Sequence, residues 1–462
     1  MMALDRRMIV QAALLLPILP SRAFARGRKP YRTYHVQAPF PMPVIRVPDF
    51  TDAAQFSIVA HGAVADDQGK TSAAIGAAIR AAHDAGGGRV LVPAGIWRTG
   101  PVHLRSNVEL HLEDGATLLF SPDPRDYLPP VPTSWEGIEC LNYSPLIYAH
   151  ECDNVAITGS GRLEAQLDVW REWYLRPKAH MDGLVELYQL ARAGKPTEQR
   201  DMTKGAANLR PHFIQFNRCR HVLVEGVSIQ NSPFWTIHPY LCRDVVIRQV
   251  RISAHGHNND GVDPEMSQGV LIENCVFDQG DDAVSVKSGR EDDAWRLATP
   301  SRNIVMRDCL VKNGHQLMAI GSEISGGVEN VFVDRCRVEQ VSGAKSALNN
   351  LLFVKTNERR GGFVRNIHLT NITSTAVAGG VLSVDTDVLY QWRTLVPTYQ
   401  RKLTPIDGLH IRNVVVTAGQ FRTRLKGEAS LPVRDVTLQN VRVGRLSGQA
   451  VETVNVTGYL DK

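Results

Sequence analysis

The chain has 462 residues, 43% hydrophobic and 21% charged, with a formal net charge of +5. That balance suits a folded chain with a large core. A charge so mild on so long a chain argues against dedicated nucleic-acid binding and leaves an acidic polymer as a fitting partner. Beyond the N-terminal segment, no stretch reaches the ~18 apolar residues a membrane span needs.

Residues 1–25 read as an export signal. Arg6 and Arg7 precede an apolar run from Met8 to Leu19, and Ala23-Phe24-Ala25 supplies a small-residue cleavage site, so the mature chain is expected to begin near Arg26 in the periplasm or outside the cell. The paired arginines point to twin-arginine export, although Asp5 and Gln11 depart from the usual flanks. Residues 26–55, with prolines at 30, 39, 41, 43 and 48, read as an extended arm. The remainder, 56–462, reads as one catalytic domain.

That domain opens with an alanine-rich helix over Thr71 to Asp84, which places Ile75, Ala78, Ile79 and Ala82 on one face and is stopped by Gly86-Gly87-Gly88. After it, short segments recur as Asx, His or Gly, then apolar, any, apolar. Examples are His221-Val222-Leu223-Val224, Asp244-Val245-Val246-Ile247, Gly269-Val270-Leu271-Ile272, Asn303-Ile304-Val305-Met306, Asn330-Val331-Phe332-Val333, Asn366-Ile367-His368-Leu369, Gly408-Leu409-His410-Ile411 and Asp435-Val436-Thr437-Leu438. β-branched strands with period-2 alternation at such intervals predict an all-β fold, a right-handed single-stranded parallel β-helix whose open end the helix caps. A β-propeller, the alternative, needs four strands per repeat. An insertion between about 164 and 211, holding Trp170, Trp173 and a helix around Met181 to Ala193, interrupts the rungs and is expected to form a wall over the groove of the coil.

The seven cysteines are an odd number and keep a fixed register to the strands: Cys219 and Cys242 before strand centres, Cys275, Cys309 and Cys336 after them. This predicts inward stacks of free thiols acting as small hydrophobes, not a disulfide framework. There is no Cys-x-x-Cys pair, and no metal or cofactor is expected.

Chemistry concentrates between Asn258 and Ser322. Asn258-Asn259-Asp260-Gly261-Val262-Asp263, Gly280-Asp281-Asp282 and Gly314-His315 are spaced so that successive coils, roughly 4.8 Å apart, stack a carboxylate cluster and a histidine on one face. Adjacent residues of a regular strand point to opposite faces, so Asp281 and Asp282 line one groove only if the chain bends, and Gly280 permits that. Asp263 better fits a turn or supporting position.

With Lys355, these motifs resemble glycoside hydrolase family 28, the polygalacturonase family. The likeness covers roughly residues 40–375. Asn231 to Pro239, Lys287-Ser288-Gly289, Ile320-Gly321-Ser322-Glu323 and Lys355-Thr356-Asn357 are similar to its exo-acting bacterial members. The resemblance implies hydrolysis of α-glycosidic bonds in galacturonate-containing pectic polysaccharide, with inversion. Asp281 would be the acid, kept neutral by crowding, and Asp260 and Asp282 would hold and deprotonate water. His315 would orient the acid or touch substrate, with Lys355, Asn258, Asn259 and Lys287 as substrate-binding residues. Trp170 and Trp173 would either stack on sugar rings or anchor the insertion.

Some positions depart from the family pattern. Phe353 stands two residues before Lys355 where arginine is usual, and Gln316 follows His315 where glycine is usual; His257 and Ala283 also differ. The lost guanidinium weakens carboxylate recognition. Arg359 or Arg360 is expected to compensate, or else that subsite takes a neutral sugar, as in a rhamnogalacturonan-type hydrolase. The rival functions are a pectate lyase, commonly using Ca²⁺, and a non-catalytic glycan-binding β-helix.

Overall fold

In a computed structural model describing residues 31–205, 209–340 and 348–462, the chain winds as a parallel β-helix, right-handed as parallel crossovers are. The export signal lies outside the described residues. Each coil returns one strand to the same place in its neighbour. Val222 pairs with Val245, Val245 with Val270, Val270 with Ile304, Ile304 with Val331, Val331 with Ile367, Ile367 with Leu409 and Leu409 with Val436.

The residue that opens each repeat has a conformational reason for being Asx, His or Gly. His221, Asp244, Gly269, Asn303, Asn330, Asn366, Gly408 and Asp435 all lie at positive φ, between 51° and 75°. Asparagine, aspartate, histidine and glycine tolerate that left-handed well best. Several bond across the coils, Asn330 Nδ2 donating to Asn303 at 2.9 Å and Asn366 Nδ2 to Asn330 at 2.6 Å. The flanking apolar residues then point inward and form the core that runs the length of the solenoid.

Helix α1, Gln68–Asp84, caps the first coil. It begins three residues before its expected start because the Asp67 side chain accepts from the Lys70 N–H and caps the N-terminus. Thr71, Ala74, Ile75, Ala78, Ile79 and Ala82 are its buried face. All seven cysteines are free and buried. Their thiols bond to carbonyls, Cys242 Sγ to Phe216 O at 3.1 Å, and burial with neighbouring Cys275 and Cys336 pushes the Cys309 thiol well up, which keeps it inert.

The arm folds into an antiparallel hairpin of β1, Tyr31–Tyr34, and β2, Ile45–Pro48. It lies across the outer face of the coil, where Ile45 and Val47 cover Ala156, Leu223, Val246, Leu271 and Val305. In the insertion, α2 spans Asp168–Trp173 and α3 spans Lys178–Arg192. Trp170 and Trp173 are buried in the core against Tyr127 and Tyr143. They anchor the insertion instead of offering a platform.

Candidate functional site

In the sheet that carries Ile237–Tyr240 and Val284–Val286 the ladder becomes irregular. Between Ile237–Tyr240 and Val284–Val286 the sheet thins to single bridges, Ile237 to Val262 to Val284 and Tyr240 to Glu265 to Lys287. In the long sheet beside it, Val276–Gln279 pairs with Leu310–Asn313 with a slip after Phe277, so that Asp278 faces Asn313 and Lys312 is the extra residue on the strand leading to His315. Such a bulge re-aims the side chains that follow it. Gly280 to Ala283 then runs as bends between strands, bringing Asp281 and Asp282 to one groove as the sequence required. A Cβ on Gly280 would meet the Gly256 backbone at 2.5 Å, so only glycine lets these two passes of chain touch.

The groove is a cavity of about 450 Å³ that Asp260, Asp281, Asp282, His315 and Lys355 all line. A larger cavity, about 700 Å³, lies between the arm and the outer face of the later coils, and none of these five residues lines it. The smaller one carries the convergent charged groups.

His315 Nδ1 donates to Asp281 Oδ1 at 3.0 Å, and the Asp282 N–H donates to the same oxygen at 3.0 Å. Lys355 Nζ donates to Asp282 Oδ2 at 2.9 Å. Lys287, stacked over Trp235, sits 3.6 Å from both Asp260 Oδ2 and Asp263 Oδ1 and 3.4 Å from Glu323. Single ligand atoms of Asp281, Asp282 and His315 lie within 4.8 Å of one another. A metal ion there would have to displace the proton from His315 and sit beside the Lys355 ammonium, so the donor set fits proton transfer better than a resident cation.

The charges follow from these contacts. Burial, then Asp281, raises Asp260 to about 8, and burial raises Asp282 against the pull of Lys355. Asp263, buried beside Asp260, is also pushed well up. Burial pushes Asp281 the same way, but the His315 hydrogen bond and charge, with Lys355 and Lys287, overcome it and bring Asp281 down to about 2. The hydrogen bond to Asp281 lifts His315 to about 9. Burial, with the Asp281 charge beside it, therefore keeps Asp260 protonated, and the proton expected on Asp281 rests on His315.

The other expected ligands divide. Asn258 lines the cavity at φ 58° and accepts from Arg210 Nη2 at 3.1 Å. Asn259 does not line it: it is fully buried, and its amide donates to the Ser232 and Phe234 carbonyls, pinning the loop. Lys287 lines the floor but is committed to the carboxylates. Arg359 and Arg360 do not compensate for Phe353. Arg359 is buried on Val396 O and Thr398, and Arg360 on Ser322 O and Glu291.

Several lining residues had no signal in the expected motifs. Glu136 comes from the hairpin of Val131–Trp135 and Ile138–Asn142, Arg176 from the insertion, and Tyr390, Gln391 and Trp392 from a late loop. They close one side of the groove: Arg176 Nη1 donates to Gln391 Oε1 at 3.3 Å, joining the two walls. Arg290, stacked on Trp392, bonds Glu136 at 3.0 Å and Glu323 at 2.8 Å behind them.

A walled cavity on a parallel β-helix, with packed carboxylates, one of them held by a histidine, fits a glycosidase. The glycosyl hydrolases family 28 model matches residues 195–459, and the chain belongs to that family. It is 40% identical to the hyperthermoactive exopolygalacturonase from Thermotoga maritima, with a TM-score of 0.77 over 85% of this chain and 87% of that one. It is 27% identical to a probable polygalacturonase of Vitis vinifera over 78% of this chain and 67% of that protein. It is also 26% identical to the exo-poly-alpha-D-galacturonosidase of Dickeya chrysanthemi, over 62% of this chain and 50% of that protein. The chain thus spans about two thirds and one half of the length of these two curated relatives.

Proposed function

We propose that the protein removes sugars from the end of galacturonate-containing pectic chains by hydrolysis with inversion. The observation that carries this reading is the pairing of a histidine-held carboxylate with separate, lysine-held carboxylates in a groove closed on one side. A closed groove admits a chain end more readily than a chain middle. The relatives named exopolygalacturonase and exo-poly-alpha-D-galacturonosidase support the same substrate and mode.

The Asp281 and His315 side chains act as one titrating unit that holds a single proton. As the glycosidic oxygen approaches Asp281, the proton passes from His315 Nδ1 through the carboxyl to that oxygen, and the bond to the anomeric carbon breaks. On the opposite face, Asp282, hydrogen-bonded to Lys355, takes a proton from water. Asp260, protonated below about pH 8, holds that water. The hydroxide equivalent adds to the anomeric carbon, and its configuration inverts. No step calls for a metal.

The N-terminal 25 residues, read as a signal, fit a polymeric substrate met outside the cytoplasm, in the periplasm or the medium. No helix among the described residues is long and apolar enough to cross a membrane. Incubation with oligogalacturonides and, separately, rhamnogalacturonan oligomers tests the substrate. Early monomer from galacturonides alone is expected. Mixed early oligomers would reject end-wise action. Product absorbing in the ultraviolet and lost with chelator would make the protein a lyase, and no product from either substrate would leave a binding module.

A further inference from the structure

We infer that Arg176, brought in by the insertion, is the residue that grips the carboxylate of the bound uronic acid, taking over from the guanidinium that Phe353 displaced. The inference deepens the proposed function and rests on it for the sugar class. Among the described residues lining the cavity, the other long cations are already neutralised. Lys355 faces Asp282, Lys287 faces Asp260, Asp263 and Glu323, and Arg290 faces Glu136 and Glu323. Arg176 forms no ion pair among those residues. Its guanidinium meets two neutral groups, the Gln391 amide oxygen and His257 Nε2.

His257 is the second half of the device. Burial, then Arg176 and Arg210, lower it to about 4, so its ring is neutral and accepts from Arg176. A carboxylate arriving at the guanidinium would replace these neutral acceptors with a charged one, roughly doubling the strength of each bond. Arg210 holds the pair from below, stacked on Tyr174 and donating to the His257 carbonyl at 2.7 Å. The position is also partly exposed, unlike Arg210, so a ligand in the groove reaches it. A guanidinium at the closed wall selects a free acid over its methyl ester, whereas Phe353 offers only an apolar ring beneath Lys355.

The test uses Asp281→Asn as a frame in which turnover is slowed enough to measure binding, and titrates it with digalacturonate and with the dimethyl ester of digalacturonate. The frame is expected to prefer the acid. Adding Arg176→Gln should weaken the acid about 10- to 100-fold, the loss typical of a charged hydrogen bond, and leave the ester within twofold. Arg176→Lys should fall between, since charge stays and the fork is lost. Equal weakening of acid and ester, no weakening of either, or a frame without preference for the acid would overturn the assignment. Thermal melts of each variant identify any that fail to fold, and Arg176→Lys then carries the comparison. The proposed function fails separately: a frame that binds the acid through Arg176, with an unsubstituted protein that releases no sugar, sinks hydrolysis and leaves the grip standing.

Discussion

The outer flank of the coil and its groove face are built from the same repeating chain and treat that repeat in opposite ways. On the outer flank each repeat opens on one left-handed residue, and inward valines and isoleucines stack without a break. Its outward apolar residues are roofed by the arm. On the groove face the ladder thins to isolated bridges, and buried side-chain oxygens there, among them Asp260 Oδ1, Asp282 Oδ1 and both oxygens of Asp263, make no hydrogen bond among the described residues. Regularity supplies the stability, and the departures from it supply the chemistry. A buried carboxylate without its full set of bonds destabilises the fold, and the long core elsewhere tolerates it.

The contrast can be broken most sharply at Asp281. Asp281→Asn should lower the hydrolytic rate on oligogalacturonide by about 10²- to 10⁴-fold, the range for a lost general acid, while the thermal midpoint moves little. A fold that collapses instead would place Asp281 with the scaffold.

On the outer flank the effect should run the other way. Leu271 is fully buried under the arm, and Leu271→Ala should cost about 2 to 5 kcal/mol in denaturant unfolding with kcat unchanged at 25 °C. A lost rate at full stability would tie the arm to catalysis.

Asp260 sharpens the comparison through pH. In the fold it keeps its proton to about 8, against an ordinary value of 3.8. Between those values the folded chain holds a proton that the unfolded chain has released, so stability falls as pH rises through that window, by about 1.4 kcal/mol per unit for an isolated group. Asp260→Asn should therefore be the more stable protein at pH 8, by at most about 6 kcal/mol, and lose that advantage near pH 4, while its activity is low throughout. Melting curves across pH decide this. An advantage that grows toward acid would refute the buried-acid account.

The smallest effect belongs to the ladder. Asn330→Ala removes two side-chain bonds at φ 57° and should cost about 1 kcal/mol, recovered in part by Asn330→Gly.

The repeat was legible because its physics is local. A left-handed turn followed by alternating β-branched residues is written into His221 to Val224 as plainly as into Asp435 to Leu438. The carboxylates and His315 were legible because one coil separates them. The walls were not. Arg176, Glu136 and Gln391 line one groove only because the insertion, the hairpin of Val131–Trp135 and Ile138–Asn142, and the late loop converge there, and no period links them. Asn259 misled for the opposite reason: a motif neighbour of Asp260 turns inward to pin Ser232 and Phe234. The protonation of Asp281 depended on the placement of His315 Nδ1, a distance that residue spacing does not carry.

The most direct test of the central claim is proton NMR of the first sugar released from a short oligogalacturonide, recorded before the product mutarotates. A carboxylate that donates its proton while a separate carboxylate activates water predicts that the α-linked chain yields β-galacturonate monomer. Early α-anomer, or a product carrying a new double bond, would contradict it.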